Sequence, residues 1–302
     1  MTVDGTTGAS STMPSGGAAA TAPAVPSPSL PVLSAQHLER SFGAVVAAAN
    51  INIDIAAGER LCLIGSNGAG KTTFVNMITG YLKPSAGRIL LAGEDITARS
   101  PREITRRGVA RSFQIPQLCL HMTVEDNMLT ALHCNRAHSG FLRPARDAAS
   151  LARCRELLAS FGLGAHGDRQ VLELPGGVRK LLDIALALCG QPRLLLLDEP
   201  TSGVSAEEKF STMDTVVRAI ESQQDAAPVT VVFVEHDMDI VRRYASRVAA
   251  FYSGRVIADG PAERVLDDPD VRRYITGSAE PAPAGNAART APATQATRAA
   301  GP

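Results

Sequence analysis

Three short segments of this chain run apolar with almost no alternation: Leu61-Cys62-Leu63-Ile64, Leu194-Leu195-Leu196-Leu197 and Val229-Thr230-Val231-Val232-Phe233-Val234. Runs of this length without a polar side predict strands covered on both faces. A helix-compatible stretch from Ala206 to Gln223 separates the second run from the third, and Thr72 to Ile78 follows the first. Apolar strands alternating with helices predict a parallel sheet with helices on both faces. Val45 to Ile55 alternates weakly and ends at the Ala57-Gly58-Glu59 turn, as an early antiparallel strand pair would, and Gly87 to Gly93 reads as a short strand closed by a turn. From about Pro116 to Gly190 the pattern becomes helical, with apolar residues at helical spacing from Ala148 to Phe161. The expectation is an α/β fold: a mostly parallel core sheet, an antiparallel β subdomain, and a helical subdomain inserted over about 115–190. No internal repeat is evident.

The two ends of the 302-residue chain break this pattern. Residues 1–29 and 278–302 are rich in Ala, Pro, Ser, Thr and Gly and lack the large apolar side chains that offset chain entropy. They are expected to be disordered, leaving 30–277 as the folded unit. The 30 Lys+Arg balance the 30 Asp+Glu, so no overall basic charge favours nucleic acid, and none is expected as a partner. The five cysteines are scattered without a C-x-x-C pair, so neither a disulfide framework nor a zinc site is indicated, and small buried apolar groups in a reducing compartment are expected. No apolar stretch reaches the ~18–20 residues that cross a bilayer, and the N-terminus has no signal-peptide pattern. A cytoplasmic protein that meets membranes through partners is expected.

Chemistry enters at Gly65-Ser66-Asn67-Gly68-Ala69-Gly70-Lys71-Thr72-Thr73, between the first apolar run and its helix. It fits G-x-x-x-x-G-K-[ST], a loop that cradles phosphate. Glycines let the backbone approach, amide N–H groups and the helix N-terminus face the anion, and the lysine adds charge at the β/γ-phosphates. A nucleoside triphosphate is therefore the expected ligand. The second apolar run delivers Asp198-Glu199-Pro200. A carboxylate at a strand end beside such a loop fits Mg²⁺ held by Asp198 through water and by Thr72 directly, with Glu199 as candidate general base. His236 ends the third run. A lone histidine is more often structural, but parallel strands end on one edge, which places His236 beside Lys71 and Glu199.

With these residues in order, the chain resembles the ATP-binding subunits of ABC transporters over roughly residues 32–277, and so a P-loop NTPase fold. Arg111-Ser112-Phe113-Gln114 looks like the family's Q-loop, whose Gln, here Gln114, reaches Mg²⁺ and the attacking water. Leu174-Pro175-Gly176-Gly177-Val178, followed by Asp183-Ile184-Ala185, looks like the signature motif, Thr201-Ser202-Gly203-Val204-Ser205 the D-loop, and His236 the switch histidine. Phe42 matches the aromatic that stacks on adenine, although alone it fits the core equally well. Within the family, Met122-Thr123-Val124-Glu125-Asp126-Asn127, Glu235-His236-Asp237-Met238 and the ending through Tyr274-Ile275 are most similar to branched-chain and hydrophobic amino-acid importers. The resemblance implies two transmembrane permease subunits, a second ABC ATPase (a copy or a distinct chain), an external substrate-binding protein, and a peripheral place on the cytoplasmic face of the inner membrane. It places docking around Gln114 and residues 115–140. Related importers carry urea or short amides, which leaves the cargo open.

The pattern departs from the family at two points. The signature usually begins Leu-Ser-Gly-Gly-Gln, and Pro175 here has neither hydroxyl nor N–H. Gly176 and Gly177 and the helix N-terminus remain as an anion site. Ser205 stands where Asp is frequent. Both changes would act on nucleotide held by the partner ATPase. A soluble ABC protein of ribosomes or DNA repair, and a regulatory ATP binder with little turnover, are the competing readings. The first lacks a second cassette or coiled-coil insert here, and the second is opposed by intact Lys71, Asp198, Glu199 and His236.

Overall fold

The computed structural model describes residues 30–135, 146–223 and 228–277; both termini expected to be disordered lie outside the described residues. Its strands are β1 (Leu33–Phe42), β2 (Val45–Ile55), β3 (Arg60–Gly65), β4 (Ala86–Leu91), β5 (Glu94–Asp95), β6 (Val109–Ser112), β7 (Leu194–Asp198), β8 (Thr230–Val234), β9 (Arg247–Tyr252) and β10 (Arg255–Pro261). Its α-helices are α1 (Lys71–Ile78), α2 (Pro101–Arg106), α3 (Val124–Asn135), α4 (Ala148–Ser160), α5 (Gly176–Leu188), α6 (Lys209–Glu221), α7 (Met238–Tyr244), α8 (Ala262–Leu266) and α9 (Pro269–Val271).

The apolar runs become the centre of a six-stranded sheet in the order β10-β9-β3-β8-β7-β6. All neighbours in it are parallel except β9 and β10. Strand side chains alternate between faces, and here both faces are covered. Leu61, Leu63, Leu194, Leu196, Val232 and Val234 pack with α1 and the antiparallel sheet. Cys62, Ile64, Leu195, Leu197, Val231 and Phe233 pack with the helices of the opposite side. Each fully buried Leu contributes about 1.5–3 kcal/mol, so a central strand gains most when it carries no polar side at all. β3 lies between β8 and β9, so its C-terminal end opens at the middle of one sheet edge.

The second sheet is antiparallel in its described pairings, in the order β2-β1-β4-β5. Phe42 pairs with Val45 across the Gly43-Ala44 turn. Helices α3, α4 and α5 pack on one another to form the helical region, and α5 also packs on β6 and β7.

Three details differ from the sequence pattern. The helical stretch begins at Val124, because 113–123 is held open by side chains: Asp183 accepts from Phe113 and Gln117 N–H groups, and Asn127 bonds both Cys119 N–H and C=O. β1, β6, β9 and β10 escaped the pattern: β6 has only four residues, β9 is alanine-rich and β10 has no buried residue. Cys62, Cys154 and Cys189 are buried, but Cys119 and Cys134 are exposed, which corrects the expectation for those two. No helix among the described residues is long and apolar enough to cross a membrane.

Candidate functional site

The phosphate loop forms where β3 hands over to α1. Gly65 has φ +151°, and a Cβ there would meet the Phe251 carbonyl at 2.4 Å, so only glycine fits between β3 and β9. Gly70, at φ +109°, is the N-cap of the eight-residue α1, and its Cβ would fall 2.6 Å from the Ala47 carbonyl. Ala69 is buried beneath the loop, while Ser66, Asn67, Gly68 and Thr72 are exposed and Thr73 is half-buried. Lys71 is only 6% exposed, and its Nζ donates to the carbonyls of Gly65 (2.6 Å) and Ser66 (3.1 Å). Burial holds its pKa below the usual lysine value, opposed by the nearby charge of Glu199.

Three other segments converge on the same edge. Glu199, just past β7, sits at φ +47°, a left-handed conformation that costs a non-glycine residue on the order of 1–3 kcal/mol. Its N–H donates to the Val234 carbonyl at 3.1 Å, which fixes the turn against β8. Gln114 Nε2 donates to Glu199 Oε2 at 2.8 Å, and His236 Nε2 lies 3.3 Å from Oε1. Gln114, Glu199 and His236, distant in sequence, thus form one cluster. Asp198 Oδ2 pairs with Arg111 Nη2 at 2.8 Å, and Arg111 Nη1 donates to Asn76 of α1 at 2.7 Å. Among the described residues no cluster of three His, Cys, Asp or Glu could cage a metal. Asp198, Thr72 and the Gln114 carbonyl are instead oxygen donors of the kind Mg²⁺ takes when phosphates and waters complete its shell, so the residues present fit that ion.

The signature segment lies elsewhere. Pro175 is the N-cap of α5 and supplies no side-chain hydrogen bond; Gly176 and Gly177 open the helix. A Cβ on Gly176 would sit 3.8 Å from the Gly203 carbonyl, and one on Gly177 3.7 Å from Val204 Cγ2. Gly176 and Gly177 therefore abut Gly203 and Val204, and among the described residues 175–177 make no hydrogen bond to Lys71, Asp198, Glu199 or His236. Ser205 Oγ donates to Glu208 Oε2 at 3.1 Å ahead of α6. Phe42 is 48% exposed, with the Arg40 guanidinium 4.9 Å from its ring centre, so it is not a core residue. It stands on the hairpin whose Ala47 abuts Gly70.

Several neighbours of the site make contacts that the sequence pattern did not assign. Buried Lys180 on α5 donates to the carbonyls of Phe113 (2.7 Å) and Asp198 (2.8 Å). Asp183, one turn on, accepts from Ser112 Oγ at 2.6 Å. Burial pushes the Lys180 pKa down and the Asp183 pKa up. Glu235 accepts from Thr201, and both are buried. Charged residues on the apolar face of α5, and a carboxyl ending an apolar strand, were the available signals.

Phosphate loop, strand-end carboxylates and helical insertion define an ATP-binding cassette, a P-loop ATPase. Residues 48–202 match the ABC transporter family. The chain is 34% identical over 258 residues to the high-affinity branched-chain amino acid transport ATP-binding protein LivG of Escherichia coli K12, covering 83% of this chain and 100% of LivG. It is 32% identical over 261 residues to the corresponding protein BraF of Pseudomonas aeruginosa, covering 83% and 100%. A crystal structure of the ADP conformation of an ATP-binding cassette from an ABC transporter superposes with a TM-score of 0.71 at 30% identity, covering 80% of this chain and 97% of that one. This chain belongs to the ABC transporter family, as one of its ATP-hydrolysing, ATP-binding subunits.

Proposed function

We propose that this chain energises an importer of branched-chain or other hydrophobic amino acids by hydrolysing ATP. The observation that carries the catalytic reading is the grip on Glu199, one oxygen held by Gln114 at 2.8 Å and the other by His236 at 3.3 Å. The amino-acid cargo is supported by the likeness to LivG and BraF, whose whole length this chain covers.

In this reading residues 30–277 are the ATPase unit, with a helical subdomain over about 115–190. Phe42 stacks on adenine, the amides of Gly65 to Thr73 face the phosphates, and Lys71 exchanges its carbonyl partners for β/γ-phosphate oxygens. Thr72, Asp198 and Gln114 would hold Mg²⁺, which would supply positive charge beside the transferring phosphoryl group. Glu199 orients the attacking water and accepts its proton, and His236 keeps that carboxylate aimed. The signature residues Pro175, Gly176 and Gly177 face nucleotide held by a second ABC ATPase, through the N-terminus of α5. Two permeases, an external binding protein and a peripheral position on the cytoplasmic face of the inner membrane complete the assembly. The docking surface lies around Gln114, where Ile115 is 75% exposed; residues 136–140 of the expected surface lie outside the described residues.

The test is Glu199→Gln in the producing cell. Loss of labelled leucine uptake, with ATP binding by the purified chain retained, supports the reading. Intact leucine uptake with loss of urea uptake moves the cargo to short amides. Unchanged ATP turnover in the variant refutes the catalytic assignment.

A further inference from the structure

Glu235 has no task in the hydrolysis described above, yet it is built into the site's floor. The residue is only 4% exposed, and among the described residues no Lys, Arg or His forms an ion pair with it. Burial raises its pKa, so the fold retains a carboxyl group at a cost. The reason is in its partners. Oε1 accepts from Thr201 Oγ1 at 2.7 Å and from Thr201 N–H at 3.1 Å, while Oε2 accepts from the His236 N–H at 3.2 Å. Three donors from two segments converge on one side chain, and only a carboxylate accepts on both oxygens.

Those two segments are the ones that carry the proposed hydrolytic pair. Thr201 lies two residues beyond Glu199, and His236 follows Glu235 directly. The loop continues from Thr201, whose carbonyl accepts from Val204 N–H at 3.3 Å, to Gly203 and Val204 against the first residues of α5. A continuous path of contacts thus runs from the N-terminus of α5 through 203–204 and Thr201 to Glu235, and from Glu235 to His236 and Glu199. We propose that Glu235 is a positioning residue that sets His236 and Glu199 according to how the 201–204 loop is seated against the N-terminus of α5.

The inference rests on the reading of Glu199 and His236 as the hydrolytic pair. Glu235→Gln separates the two arms without opening a cavity. The amide oxygen can serve Thr201 or His236, and its NH₂ then faces an N–H on the other side. With the full-length chain at saturating Mg-ATP, Glu235→Gln is expected to lower kcat roughly tenfold, the scale of one hydrogen bond to a charged group, with ATP affinity within about twofold. His236→Ala should then cost much less in the Glu235→Gln background than in the wild type, because the histidine is already displaced. A merely structural role leaves the two losses multiplicative. Thr201→Val removes the hydroxyl arm alone and serves if Glu235→Gln does not fold; it should lower kcat about two- to threefold at unchanged ATP affinity.

Glu199→Gln in the same assay separates the two levels. If it abolishes turnover while Glu235→Gln, or Thr201→Val in its place, turns over like the wild type, the positioning role is overturned alone. Multiplicative losses overturn it as well. If Glu199→Gln keeps wild-type turnover, the hydrolytic reading falls and the inference falls with it.

Discussion

Arg111 and Asp198 form a nearly buried ion pair at 2.8 Å, with side chains only 9% and 11% exposed. The guanidinium also reaches Asn76 on α1 and lies 4.8 Å from the ring centre of Phe113. One side chain therefore joins the helix of the phosphate loop, the strand-end carboxylate and the segment leading to Gln114. Removing one member of a buried pair strands the other charge, at a typical cost of about 3–5 kcal/mol. Arg111→Met should destabilise the chain on that scale, and Arg111→Met with Asp198→Asn should recover a large part of it. Urea unfolding of the four forms measures this. Additive losses would show that the pair is incidental.

The pH dependence of stability tests the α5 anchor. Asp183 is buried and accepts from Ser112, Phe113 and Gln117, yet burial outweighs these bonds and raises its pKa above 3.8. With the folded pKa above the unfolded one, the folded state binds the extra proton between them. The stabilisation this gives is complete below pH 3.8 and is lost as pH rises through the folded value. The stability of the wild type relative to Asp183→Asn should therefore improve as the pH falls from 7 toward 4. Unfolding free energies of both proteins across that range decide the matter, and a gap that widens against the wild type in acid would contradict the assignment.

Thiol chemistry reports on the fold directly. Cys119 and Cys134 are exposed, whereas Cys62, Cys154 and Cys189 are buried, with burial pushing the thiols of Cys154 and Cys189 up to about 11. The thiolate is the reactive form, so the exposed pair should be alkylated at pH 8 at least about tenfold faster than the buried three. Mass mapping of a timed iodoacetamide reaction checks it. Early labelling of Cys62 would mean that β3 is not the covered central strand.

The central sheet was legible because each of β3, β7 and β8 is apolar on both faces, a pattern that a strand with one wet face does not carry. The phosphate loop was legible because its glycines answer steric demands, as the 2.4 Å and 2.6 Å approaches at Gly65 and Gly70 make plain. What stayed hidden depends on contacts across long sequence distances. Lys180 reads as one more charge on a helix until the fold places its Nζ on the Asp198 carbonyl. Glu235 reads as the neighbour of a histidine until Thr201 arrives from 34 residues away. Phe42 could not be assigned to core or surface from its neighbours, because a strand end at a hairpin has no fixed side.

Pro175 separates a local effect from one that needs the assembly. It caps α5 without a side-chain hydrogen bond, where serine would bond an N–H of the first turn. Pro175→Ser should therefore stabilise the chain itself by about 0.5–1 kcal/mol, less whatever the proline ring contributes by restricting the unfolded state. In the assembly proposed above, the same hydroxyl would face nucleotide on the second ATPase and add a hydrogen bond to a charged group. Such a bond is worth about 1.5–3 kcal/mol, or roughly one to two decades in rate if felt in the transition state. ATP turnover of the complete complex should rise on that scale, while turnover of the isolated chain should move far less. Faster turnover in both alike would trace the effect to capping of α5. No change in the complex would mean that the proline does not limit the site it completes.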